Sequence, residues 1–211
     1  FAALLVPFGR VVDQLGPRRC FLLSTGAFTL ASAACGLAPS PECLTAARVV
    51  QAIAGAMISP ASLTLILAVF APEHRSRSAG LWSAVGALAA ASGPAIGSAL
   101  IEWFSWRMIF LINLPIGLAV FVFALRRMTI DPATKSKANL DLVGSLLIIL
   151  AVGGIAAGLS RAGESALLSA SVLGPLGLGL VMFASFLVWA RLRTQAALDI
   201  RLFAYPVYRW A

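Results

Sequence analysis

The sequence predicts an all-α integral membrane protein, a polytopic bundle of transmembrane helices, and three observations predict it. Hydrophobic residues make up 60% and charged residues 11% of the 211-residue chain, against about a quarter charged in soluble domains, and mean hydropathy is +0.94. The apolar residues fall into runs of about 20, the length that crosses the hydrocarbon core of a bilayer. Basic residues gather at every second connection between those runs, the distribution that orients membrane proteins.

Residues 1–8, FAALLVPF, read as the second half of a spanning helix. With no initiator Met and no signal-peptide charge pattern, the chain is expected to be a piece of a longer protein. A short charged turn, GRVVDQLGPRR, occupies residues 9–19. Complete spans are expected at 20–38, 43–70, 78–101, 107–125, 141–160 and 171–190, which gives six complete helices and one partial one. Turn chemistry marks their ends at Ala38-Pro39-Ser40-Pro41, Ala71-Pro72-Glu73 and Asp131-Pro132. Pro60, Pro94, Pro115 and Pro175 lie inside spans, where neighbouring groups can re-satisfy the freed carbonyls. The small-residue runs 86–99 and 151–160 are suited to close helix contact in lipid.

The net charge is +8. In a soluble domain that would raise nucleic-acid binding. Here the basic residues sit in the connections 9–19, 71–77, 126–139 and 191–209, which the positive-inside rule makes cytoplasmic. The intervening connections carry only Arg107 and Arg161 against Glu42, Glu102 and Glu164, and are external. Membrane orientation therefore accounts for the charge, and no nucleic-acid partner is expected. Cys20, Cys35 and Cys43 lack CxxC spacing and His partners. They read as small hydrophobes, with a Cys35 to Cys43 disulfide as the alternative.

Arg48 is the one charge deep in a predicted span. A guanidinium there is costly unless it faces the bundle interior or a wet cavity. Gln51, at i+3, extends the polar strip on the same helix face. The structural alternative is an arginine snorkelling to the outer surface. Gly93, Pro94 and Gly97 form a small-residue bend, because proline removes a helix hydrogen bond and small neighbours allow contact there. Enzymatic chemistry finds no support: His74 is the single histidine, no hydrolase, metalloprotease or phosphate-cradling motif occurs, and neither catalytic nor metal residues are assigned.

Three motifs in order carry a family resemblance. Gly9-x-x-x-Asp13-x-x-Gly16-x-Arg18-Arg19 resembles the loop signature between helices two and three of the major facilitator superfamily. Arg48-x-x-Gln51 resembles its fourth-helix motif, and Gly93-Pro94-x-x-Gly97 the fifth-helix motif of its antiporters. Trp106-Arg107 through Phe110, Asn113, Pro115 and Gly117, and then Leu140-Asp141-x-x-Gly144, resemble later parts of the fourteen-span drug:proton antiporters. Departures are Gln14, Pro17, Ala52, Ala89 and Ser98.

The resemblance implies the following organisation. Residues 1–125 are late helix two to helix six of the N-terminal half, 126–140 a cytoplasmic linker, 141–190 two additional helices, and 191–211 a cytoplasmic connection. It implies a cytoplasmic gate of Gly9, Asp13, Gly16, Arg18 and Arg19, with Asp13 pairing across the two halves. It places Arg48 and Gln51 in a central cavity, where Arg48 would lower the pKa of a carboxylate elsewhere in the bundle and so govern proton coupling. The bend at Gly93, Pro94 and Gly97 would shape that cavity. The implied function is proton-coupled export of drugs or other amphipathic molecules, lipophilic or cationic, across the plasma membrane. No cofactor is expected, since the proton gradient supplies the energy. Transport of another solute class, and a non-transporting sensor or scaffold, stay open.

Overall fold

The computed structural model describes residues 2–128, 141–163 and 169–192. Residues 11–128 belong to one compact unit, and residues 2–10 with those from 141 onward to a second. Most of the expected linker, the tip of the last external connection and the connection from 193 onward, with Lys135, Lys137, Glu164, Arg193, Arg201 and Arg209, lie outside the described residues.

The described elements are all helical. They are α1 (Ala2–Leu15), α2 (Pro17–Gly36), α3 (Pro41–Val69), a single 3-10 turn (Pro72–His74), α4 (Arg75–Trp103), α5 (Met108–Leu111), α6 (Asn113–Arg127), α7 (Leu142–Ala162) and α8 (Ala170–Leu192). Among the described residues five stretches are long and apolar enough to cross a membrane: Pro41–Val69, Pro72–Trp103, Met108–Arg127, Val143–Ala162 and Ala170–Leu192. α2 is 20 residues long but opens on Pro17, Arg18 and Arg19 and carries Ser24, Thr25, Thr29 and Ser32, so its mean hydropathy is lower than that of the other spans.

The charged turn expected over residues 9–19 is much shorter than the sequence suggests. α1 continues through Gly9 and Asp13 to Leu15, and only Gly16 is non-helical. Nothing in RVVDQL stops a helix, and an internal glycine costs only about 1 kcal/mol. Pro17 is what ends it, because the residue before a proline is pushed out of the helical region. Gly16 has φ 92°, which favours glycine. Its N–H donates to the Val12 carbonyl at 3.0 Å and its carbonyl accepts from the Cys20 N–H at 3.1 Å, so one residue closes α1 and opens α2.

Small side chains form the seam of the first unit. Val12, Cys20 and Ala61 are fully buried with Val11, Phe21 and Met57 packed around them. Ser24, Ala31 and Cys35 of α2 and Ala54 and Ala56 of α3 are also buried. Such residues let backbones approach, which is how helices associate where lipid removes the hydrophobic drive between them. No disulfide joins Cys20, Cys35 and Cys43, and Cys43 is exposed rather than buried. Leu23, Leu30, Val69, Leu81 and Leu88 are exposed, as suits helices that meet hydrocarbon. α4 has no buried residue, so the glycines of 86–99 make no close contact among the described residues.

In the second unit α7 and α8 pack backbone to backbone. A Cβ on Gly179 would lie 2.6 Å from the Ile155 nitrogen and 2.8 Å from the Ala151 oxygen, and one on Gly154 would lie 2.8 Å from the Pro175 oxygen. The pairing is locked at one end by Asp141. Its Oδ1 accepts the Gly144 N–H at 2.9 Å, capping α7, and the Trp189 indole N–H donates to Oδ1 and Oδ2 at 3.1 and 3.2 Å. The Asp141 carboxylate occupies the space a Cβ on Gly144 would need, which gives the Asp-x-x-Gly spacing a physical cause. Asp141→Ala removes a cap worth about 0.5–2 kcal/mol and leaves the indole without this acceptor. The full-length protein is expected to melt a few degrees lower, measured by thermal unfolding in detergent, with Asp141→Asn between the two.

Candidate functional site

α2, α3, α5 and the start of α6 together form a cavity of about 320 Å³, lined by Phe28, Arg48, Gln51, Ala52, Phe110 and Asn113 among others. Arg48 reaches it from the first third of α3, seven residues after the helix start at Pro41, about 10 Å along the axis at 1.5 Å per residue. Ser40 fixes that start, since its hydroxyl accepts the Cys43 N–H at 3.3 Å.

The polar residues form a chain. Arg48 Nη1 donates to Gln51 Oε1 at 3.4 Å. Gln51 Nε2 donates to Ser32 Oγ at 2.7 Å. Gln51 is 6% exposed and Ser32 fully buried, so the Gln51 amide nitrogen and the Ser32 hydroxyl each depend on the other for this bond. Gln51→Leu is expected to destabilise the unit by about 1–3 kcal/mol, because it strands the Ser32 hydroxyl; a lowered melting temperature with retained helical circular dichroism checks this.

Aromatic rings hold the guanidinium from the other side. The Arg48 Cζ lies 5.3 Å from the Phe110 ring centroid, within cation–π range. Phe110 is set edge-to-face against Trp106, with centroids 6.2 Å apart and planes at 85°. Arg107 stacks over Trp106 at 4.5 Å and donates through Nη2 to the Ala38 carbonyl at 3.3 Å, tying the segment before α5 to the end of α2. Arg48 therefore does not rely on snorkelling alone: it has a side-chain acceptor and a ring within the unit.

The other expected site residues lie elsewhere. Gly9 and Asp13 are helical, Gly16 is the hinge residue between α1 and α2, and Arg18 and Arg19 begin α2. Asp13 and Arg19 are exposed, and Arg18 is half-buried with its Nε lacking a hydrogen-bond partner among the described residues. Asp13 forms no ion pair among the described residues. Gly93, Pro94 and Gly97 sit inside α4, which runs unbroken through Pro94, and a Cβ on either glycine would meet open space. None of these residues lines the Arg48 cavity.

Spacing alone reveals neither Ser32, 19 residues before its partner Gln51, nor the stacking of Phe110 on Arg48. A second cavity of about 520 Å³ between α3 and α4, with Ser59, Phe70 and Leu81 in its wall, also escapes sequence reading. In it the Trp82 indole N–H donates to Ser62 Oγ at 3.2 Å.

Long apolar helices, small-residue seams and an arginine on the wall of a mainly apolar cavity define a multi-pass membrane protein. The chain belongs to the Major Facilitator Superfamily, whose sequence profile matches residues 1–204. It is 33% identical over 212 residues to the multidrug resistance protein Stp of Mycobacterium tuberculosis, covering 100% of this chain and 39% of that protein. It is 35% identical over 214 residues to the cephamycin export protein CmcT of Amycolatopsis lactamdurans, covering 100% and 44%. With the methylenomycin A resistance protein of Streptomyces coelicolor it shares 40% identity over 158 residues, covering 74% and 32%. The chain thus spans about two fifths of the length of the curated relatives it matches over its whole extent.

Proposed function

We propose that this chain works within a secondary active transporter that exports amphipathic small molecules in exchange for protons. The observation that carries the reading is Arg48, a fixed positive charge on the wall of a cavity and held by Gln51 and Phe110. Such a charge favours the ionised form of any carboxylate brought near it. A carboxylate that gains and loses its proton beside Arg48 is the simplest coupling element, and the remainder of the bundle would supply it. The names of the relatives, which speak of multidrug resistance and of cephamycin export, support the outward direction.

The remaining motif residues take supporting roles in this reading. Gly9, Asp13, Gly16, Arg18 and Arg19 would supply the joint that gates the cytoplasmic side. The open glycine face of α4 at Gly93, Pro94 and Gly97 is free to meet another helix as the cavity changes shape. No cofactor is needed, since the proton gradient drives the cycle; the other participants are the substrate, protons and the bilayer.

The test is accumulation of a lipophilic fluorescent dye in everted vesicles carrying the full-length protein, with and without an imposed proton gradient. Accumulation that requires the gradient is the expected result. Equal accumulation in both conditions would indicate a facilitator, and none with any of a panel of dyes and antibiotics would favour a scaffold or sensor.

A further inference from the structure

We propose that the Arg48 cavity selects organic anions: amphipathic molecules whose carboxylate pairs with Arg48 while an aromatic portion lies against Phe28 and Phe110. The inference rests on the transport reading only for what happens to the ligand after it binds. Among the described residues Arg48 is the single charged one in the lining, and none of them brings a carboxylate to it. Among the described residues its partners are one side-chain oxygen at 3.4 Å and one ring face, so most of its N–H donors are uncommitted there.

The other polar groups reinforce the sign. Gln51 has its oxygen turned to Arg48 and its amide nitrogen to Ser32, and Asn113 anchors its amide nitrogen on the Ile109 carbonyl at 3.4 Å. Neither supplies a negative charge. A cationic ligand would meet a like charge that no acid among the described residues of the wall offsets, whereas a carboxylate could take two parallel N–H bonds from the guanidinium. Of the lipophilic or cationic substrates that the resemblance implies, this sets the cationic ones aside. The aromatic part follows from Phe28 and Phe110, the two rings in the lining, and the volume of about 320 Å³ is at the small end of the range for small-molecule pockets.

Three probes with one fluorophore and different charges test this on the purified full-length protein without any gradient: dansylglycine, its methyl ester, and dansyl-ethylenediamine. Wild type is expected to bind dansylglycine at least tenfold tighter than the ester or the amine, read from dansyl fluorescence enhancement. Arg48→Gln should bring dansylglycine down to the ester's affinity while leaving the ester unchanged, which also shows that the cavity still forms. Arg48→Lys should keep part of the preference, and Phe110→Leu should weaken all three probes alike. Ester or amine binding as tight as dansylglycine in wild type, or a carboxylate preference that survives in Arg48→Gln, would overturn the proposal. Anion-selective binding without gradient-driven movement would overturn the transport reading and leave this one standing. Gradient-driven movement of all three probes at equal affinity would do the reverse.

Discussion

Replacing Arg48 with alanine is expected to lower gradient-driven efflux by the full-length protein at least tenfold, with little change in the amount that reaches the membrane. The substitution removes the charge that biases a neighbouring carboxylate toward ionisation, and each tenfold loss corresponds to about 1.4 kcal/mol of lost interaction. It does not unpick the seam beneath: Gln51 keeps its bond to Ser32 at 2.7 Å, and Cys20 and Ala61 stay buried. Arg48→Lys retains the charge but loses the planar guanidinium that stacks on Phe110, so intermediate flux is expected. Initial rates in everted vesicles, normalised to protein by immunoblot, check both. Wild-type flux in Arg48→Ala would remove this residue from the mechanism.

Gly179→Leu should be the most damaging single change to the second unit. The new side chain would start 2.6 Å from the Ile155 nitrogen and 2.8 Å from the Ala151 oxygen, both backbone atoms of α7 that cannot swing aside. Overpacking that side chains can absorb costs about 1–3 kcal/mol, and this site offers no such relief. α7 and α8 are expected to separate or shift register, with a fall in melting temperature well beyond that of Asp141→Ala. Gly174→Leu in the same helix is the control, since a Cβ there meets nothing within 4 Å. Its melting temperature should stay at or above that of wild type, because leucine is the better helix former.

The spans were legible because lipid imposes both length and composition. α3, expected at 43–70, runs Pro41–Val69, and α8, expected at 171–190, runs Ala170–Leu192. The pairing of Arg48 with Gln51 was legible for a similar reason, since three residues on a helix are always neighbours. The joint at 9–19 is shorter than its charge suggests, because helices carry charged residues at their ends and only the Gly16-Pro17 step forces a break. Ser32 and Trp189 were invisible as partners because they come from other helices, and side-chain contacts across a bundle leave no fixed spacing in one chain. The spacing of Asp141 and Gly144 is visible in the sequence, yet its cause, a carboxylate lying where a side chain would be, is a feature of the folded helix end.

Proton movement itself is the most direct test of the central claim. Everted vesicles carrying the full-length protein are acidified inside by respiration, and a transported compound is then added while lumenal pH is followed with a quenched acridine dye. Proton-coupled export predicts that the compound enters the lumen as protons leave, so the gradient partly collapses on addition, in wild type and much less in Arg48→Ala. Accumulation of the compound with the gradient undisturbed would contradict the account.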